Sequence, residues 1–155
     1  MTRSTLALNN IDSHHSLLLS ILFLYTQAMT QKVDLHSRIR KHLGGEKFNL
    51  FVPECVVAEL RSIGAPVELA LDFALAHCEV VSTAQGARPN DAIKGLVGRT
   101  NPRRFFVATQ EEDLRNFLRT LPGVPLLHLQ RTVLLLETPS SSSRKVSSQL
   151  YNLDI

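Results

Sequence analysis

Apolar positions along this chain fall into short continuous runs, separated by stretches with a rhythm of three to four residues. The runs read as buried strands and the rhythmic stretches as amphipathic helices. Thr5–Leu8 is the first run, and Asn9-Asn10 stops it. Asp12 or Ser13 caps the helix expected next, on which Leu17, Leu18, Ile21, Leu22 and Tyr25 form a wide apolar face. A basic helix follows over Gln31–Leu43 and closes at Gly44-Gly45. Phe48–Val52 reads as a strand.

Three prolines then open three helices. Pro53, Pro66 and Pro89 stand at expected first helical positions, where a missing N–H costs nothing. The helices run Pro53–Ile63, Pro66–His77 and Pro89–Val97, with Gly64 closing the first. Cys78–Val81 and Arg104–Ala108 read as strands. Thr109 is expected to cap a further helix with Glu112 as its capping-box partner, and Leu114, Phe117, Leu118 and Leu121 are its apolar positions. Pro122-Gly123 ends it. Val124–Leu129 and Thr132–Leu136 are the last strands, joined at Gln130-Arg131. Strands alternating with helices predict an α/β fold with a parallel sheet covered by helices. Ligands in such folds sit beyond the C-terminal strand ends.

Composition adds limits. The 155 residues are 44% apolar and 20% charged, enough for one ordinary core. Lys plus Arg is 17 against 14 for Asp plus Glu, a net charge of +3 that permits a nucleic-acid partner without requiring one. Cys55 and Cys78 cannot build a disulfide framework, and a reducing compartment is the simpler reading. Leu17–Tyr25 is about half the roughly 20 residues a membrane span needs. Asp12, His14 and His15 occupy the place of a signal peptide's basic start, so the run reads as a buried helix. Residues 139–155 read as a flexible, Ser-rich basic tail, which leaves 1–138 as a single domain.

Four carboxylates carry the candidate chemistry. Glu59 shares a helical face with Val56 and Ile63, where a charge is costly unless paired or metal-bound; a salt bridge to Arg61 or another arginine is the ordinary explanation. Asp91 lies in the first turn after Pro89, and Glu111, Glu112 and Asp113 in the first turn after the RFFVA strand. The helix dipole favours any one of them there. Carboxylates converging from separate elements would instead need a divalent cation between them, and oxygen ligands select magnesium or manganese. Such a site can activate water for phosphodiester attack.

Phe106–Leu126, FVATQEEDLRNFLRTLPGVPL, resembles the PIN-domain proteins of the small-subunit processome. Their mark is a strand ending in ATQD or ATND, a DLR-like helix, then PGVP. Val52–Gly64, VPECVVAELRSIG, is similar to that family's CVxxELxxLG helix, and Asn90-Asp91-Ala92-Ile93 lies at its middle acid. The resemblance spans about residues 48–139 and, before them, only the order of elements. NPxxxFVATQ (Asn101, Pro102, Phe106 to Gln110) and LLLETPS (Leu134 to Ser140) are closer to the Utp-twenty-three-like rRNA-processing branch than to the nuclease branch. The resemblance implies a PIN-like three-layer fold and a place in the nucleus, at the nucleolus. It further implies work on early small-subunit rRNA cleavages. Pre-rRNA or small nucleolar RNA and other processome proteins are the implied partners, with no membrane.

Carried across, Glu59 matches the helix glutamate, Asp91 the middle acid and Asp113 the second acid of the last helix. Glu111 stands where Asp is usual. The first-strand aspartate has no match, since Asn9 or Asn10 holds the expected strand end and Asp12 is displaced. Magnesium or manganese would sit among Glu59, Asp91, Glu111 and Asp113 if the set is functional; with a ligand missing, a degenerate nuclease is expected. The branch also carries a zinc cluster. Cys78 matches its first cysteine, but Thr83, Gln85 and Ala92 fall at the others, and one soft ligand cannot hold zinc. No zinc is expected.

Arg88, Lys94, Arg99, Arg103 and Arg104 cluster beside the candidate acids, and Lys32, Arg38, Arg40 and Lys41 line the second helix. Arg144 and Lys145 lie in the tail. Such residues hold RNA phosphates, though a solvated face explains many basic runs. Seven Phe, two Tyr and no Trp favour backbone or duplex binding over stacking. His14, His15, His36 and His42 read as solvated or capping. Three functions are in play: an RNA-binding assembly factor, an active metal-dependent endoribonuclease, and a processome scaffold without RNA contact. The first leads.

Overall fold

The computed structural model describes residues 15–29, 35–42, 47–131 and 133–137. In chain order the elements are β1 (His15–Leu19), α1 (Ile21–Met29), α2 (Leu35–His42), β2 (Phe48–Pro53), α3 (Glu54–Ile63), α4 (Glu68–His77), β3 (Cys78–Val81), α5 (Pro89–Val97), β4 (Phe105–Ala108), α6 (Glu112–Arg119), β5 (Leu126–Gln130) and β6 (Val133–Leu136). The strands form one sheet in the order β3-β2-β1-β4-β5-β6. All neighbours are parallel except β6, which returns antiparallel to β5.

Strand alternation divides the interior into two cores. Leu17 and Leu19 of β1, Leu50 and Val52 of β2, and Leu127 and Leu129 of β5 face α1 to α4. Leu18, Phe105, Val107 and Leu126 face the other way, against α5 and α6. Helices thus cover both sheet faces, giving three layers. A strand buried on both sides has no polar face, so Leu17-Leu18-Leu19 shows no alternation.

That property overturns the N-terminal expectation. Thr5–Leu8, the Asn9-Asn10 stop and the Asp12 or Ser13 cap lie outside the described residues, as do Lys32 and the tail over 139–155. The run Leu17–Tyr25, expected as one helix, divides at Ser20 into β1 and α1. Ser20 serves both elements. Its N–H donates to the Ala108 carbonyl at 3.0 Å, extending the sheet. Its Oγ accepts the Phe23 N–H at 3.2 Å and its carbonyl accepts the Leu24 N–H at 3.1 Å, which makes it the N-cap of α1. His15, expected as solvated or capping, is half-buried in β1 and sets its ring edge-on to Phe106.

Other boundaries shift by a residue or two. Pro53 is the N-cap of α3 rather than its first residue, and Pro66 lies in a 3-10 turn before α4. Pro89 opens α5 as expected. Thr109 does not cap α6; its Oγ1 accepts the Glu111 N–H at 3.1 Å, and Glu111 holds the N-cap position. Gly64, at φ 82°, supplies the left-handed turn that ends α3. Among the described residues no helix is long and apolar enough to cross a membrane.

Candidate functional site

β1, β2 and β4 run parallel, so the residues following them gather at one end of the sheet. A cleft of about 400 Å³ opens there. Its lining comes from Ile21 at the start of α1, Glu59 of α3, Glu111 before α6, and Arg88, Pro89, Asn90, Asp91 and Lys94 around the start of α5.

Three of the four expected acids, Glu59, Asp91 and Glu111, line this cleft. Glu59 reaches it because it does not share the buried face of α3. That face is Val56, Val57 and Leu60, whereas Glu59 is exposed and Ile63 is 47% exposed. The expected bridge to Arg61 is absent among the described ion pairs. Asp91 is exposed in the first turn of α5, where the helix dipole favours it. Glu111 is half-buried. Asp113 points its exposed side chain from α6 and does not line the cleft.

Glu111 is the electrostatic centre. Burial pushes its carboxyl above the ordinary range; a hydrogen bond from Asn90 pulls it partly back, and the nearby Glu59 charge raises it again. Glu111 Oε2 and Asn90 Oδ1 are both buried without a hydrogen-bond partner. A carboxyl with a raised folded-state pKa contributes stability below its unfolded pKa, about 4.3, and loses it as pH rises through the folded value. Ionised Glu111 is therefore a burden at neutral pH. Glu111→Gln should melt above wild type at pH 7, and the gap should close by about pH 4; thermal melts across that range check it.

Among the described residues, the donors at this cleft do not make up a nuclease metal centre. Ser20 stands at the end of the central strand, fully buried, with its Oγ already accepting the Phe23 N–H. Among the described residues, no three His, Cys, Asp or Glu side chains are grouped closely enough to hold a metal ion. Arg88 and Lys94 supply positive charge to the same cleft.

The basic residues divide into separate groups. Arg88 and Lys94 line the cleft. Arg99, Arg103 and Arg104 lie in the turn before β4, at the opposite end of that strand from Glu111. Arg38, Arg40 and Lys41 are exposed on α2 around buried Ile39. Near the family's zinc position, burial pushes the Cys78 thiol up to about 12, so it stays protonated. Thr83 Oγ1 there accepts the Cys55 N–H at 3.2 Å.

Sequence reasoning missed three residues. Ser20 was hidden by the misplaced first strand. Asn90 was read only as the neighbour of Asp91. Glu137, within LLLETPS, clamps α6 to the end of β6: Arg119 donates to both its carboxylate oxygens, at 3.0 and 2.7 Å. His128 Nδ1 lies 3.7 Å from the same carboxylate, and burial and nearby arginines lower its pKa despite that charge. An acid two strands away from its partner helix has no local signature in sequence.

Comparison with known proteins agrees with this architecture. A model of the Fcf1 family matches residues 41–138. The rRNA-processing protein utp23 of Schizosaccharomyces pombe is 30% identical in an alignment 120 residues long that covers 73% of this chain. The chain spans 45% of that relative's length. The solved structure of the PIN domain endonuclease Utp24 superposes with a TM-score of 0.70 at 26% identity, covering 79% of this chain and 90% of the other. The fold is PIN-like, and the chain belongs to the Fcf1 family.

Proposed function

We propose that this chain is an rRNA-processing factor of the small-subunit processome that holds RNA in its strand-end cleft without cutting it. The RNA is pre-rRNA or small nucleolar RNA, and the place of work is the nucleolus, beside other processome proteins. The family and the utp23 relative support rRNA processing. The observation that carries the rest is the cleft's composition: Arg88 and Lys94 beside three carboxylates, with Ser20 at the central strand end. Cations there suit phosphates. A neutral capping side chain at Ser20 removes one donor from a hydrolytic metal site.

Filter binding of structured pre-rRNA fragments across a salt series tests the reading. Affinity should fall with salt, with a slope of about 0.7 to 0.9 per phosphate held. Arg88→Ala should lower that slope by about one such increment. The same fragments should stay intact with excess manganese. Cleavage that disappears in Asp91→Asn and Glu59→Gln would replace this reading with an endonuclease. A flat salt response would leave a protein scaffold.

A further inference from the structure

We propose that Phe117 and Lys94 form a subsite for one unpaired RNA nucleotide at the α5–α6 lip of the cleft. The base stacks on the Phe117 ring while Lys94 and Arg88 hold its phosphate. The subsite rests on the RNA-binding reading above and narrows it to single-stranded RNA at this point.

α6 buries Leu114 and Leu118 and leaves Phe117 39% exposed, outside both cores. A lone exposed phenylalanine needs no ligand to explain it. Its neighbour supplies the argument. The Lys94 ammonium lies 4.5 Å from the ring centroid, and Lys94 also lines the cleft with Arg88. One side chain thus joins the aromatic ring to the candidate phosphate site. An exposed cation–π contact is weak, while a base stacked on an aromatic side chain is worth roughly 5- to 150-fold in affinity. A phosphate arriving at Lys94 and Arg88 draws the ammonium from the ring and leaves its base beside the face just freed. Lys94 over the ring and Arg88 in the adjoining cleft favour an anionic strand over an apolar protein segment.

The chain contains no Trp, so Phe117→Trp creates a single emission reporter. Its fluorescence should be quenched by a single-stranded oligoadenylate and much less by an RNA duplex. Phe117→Ala should weaken oligoadenylate binding roughly 5- to 150-fold and leave the salt slope unchanged, because stacking releases no counterions. Phe117→Trp should retain the affinity. Lys94→Gln should lower the salt slope by about 0.7. Position 117 is exposed, so the variants should melt with the wild type. Wild-type binding that survives Phe117→Ala, or emission that oligoadenylate does not change, would overturn the subsite alone. Equal loss for single strand and duplex would also overturn it. A wild-type chain that holds neither oligoadenylate nor pre-rRNA would overturn the RNA reading along with it.

Discussion

Asn101→Ala should lower folding stability by about 3–4 kcal/mol and the Tm by roughly 10 °C. Asn101 is 4% exposed and adopts φ 50°. Its Nδ2 donates to the carbonyls of Phe105 and Gly123, both at 2.9 Å, and its Oδ1 accepts the Phe105 N–H at 2.9 Å. Alanine supplies none of these bonds, and a buried polar group that loses its partner costs about 1–3 kcal/mol. Alanine also tolerates the left-handed backbone less well than asparagine, by about 1–2 kcal/mol. Asn101→Gly separates the two contributions, since glycine relieves the backbone and still lacks the side chain. It should recover only about 1 kcal/mol in urea denaturation. A glycine variant as stable as wild type would show that the hydrogen bonds contribute little. The position matters beyond stability. Asn101 ties the turn after α5 to the loop after α6, and those helices carry Asp91 and Glu111 into the cleft at their opposite ends. The NP pair read from the sequence as a branch marker is thus a built turn.

Much of this was legible for identifiable reasons. β2, β3, β4 and the β5–β6 hairpin are short apolar runs bounded by proline, glycine or polar turns, which local pattern reads well. Asp91 and Glu111 follow directly from where a parallel sheet presents its strand ends. Glu59 lines the cleft, but from a different helical face than the one its spacing suggests. Position 63 looks apolar in sequence yet is solvent-facing, so the stripe through 56, 59 and 63 was not the packed one. Asp113 follows Glu111 by two residues, and on a helix such a spacing turns a side chain away from its neighbour. The five arginines and lysines over 88–104 looked like one cluster because α5 separates them by rise along its axis, which sequence distance conceals.

The remaining failure, the first strand, yields the other large prediction. Leu17→Ala and Leu18→Ala should each cost about 2–5 kcal/mol, and Leu22→Ala under about 1 kcal/mol, in urea denaturation. Leu17 and Leu18 are fully buried in the central strand and fill opposite cores. Leu22 is 39% exposed on α1. A continuous helix over 17–25 would instead put Leu18, Leu22 and Tyr25 on one stripe at spacings of four and three. Leu22→Ala would then cost as much as Leu18→Ala, so position 22 is the one that separates the two readings. The apolar run alone could not separate these cases, because a doubly covered strand and a buried helix are both unbroken in hydrophobicity. Only Ser20 breaks the run, and a capping serine inside an apolar stretch is the local mark of a helix starting there. The three variants also decide a functional point. If 17 and 18 are both costly and 22 is not, the central strand ends at Ser20, and a serine rather than Asn9 or Asn10 occupies the place where a first-strand carboxylate would complete the acid set.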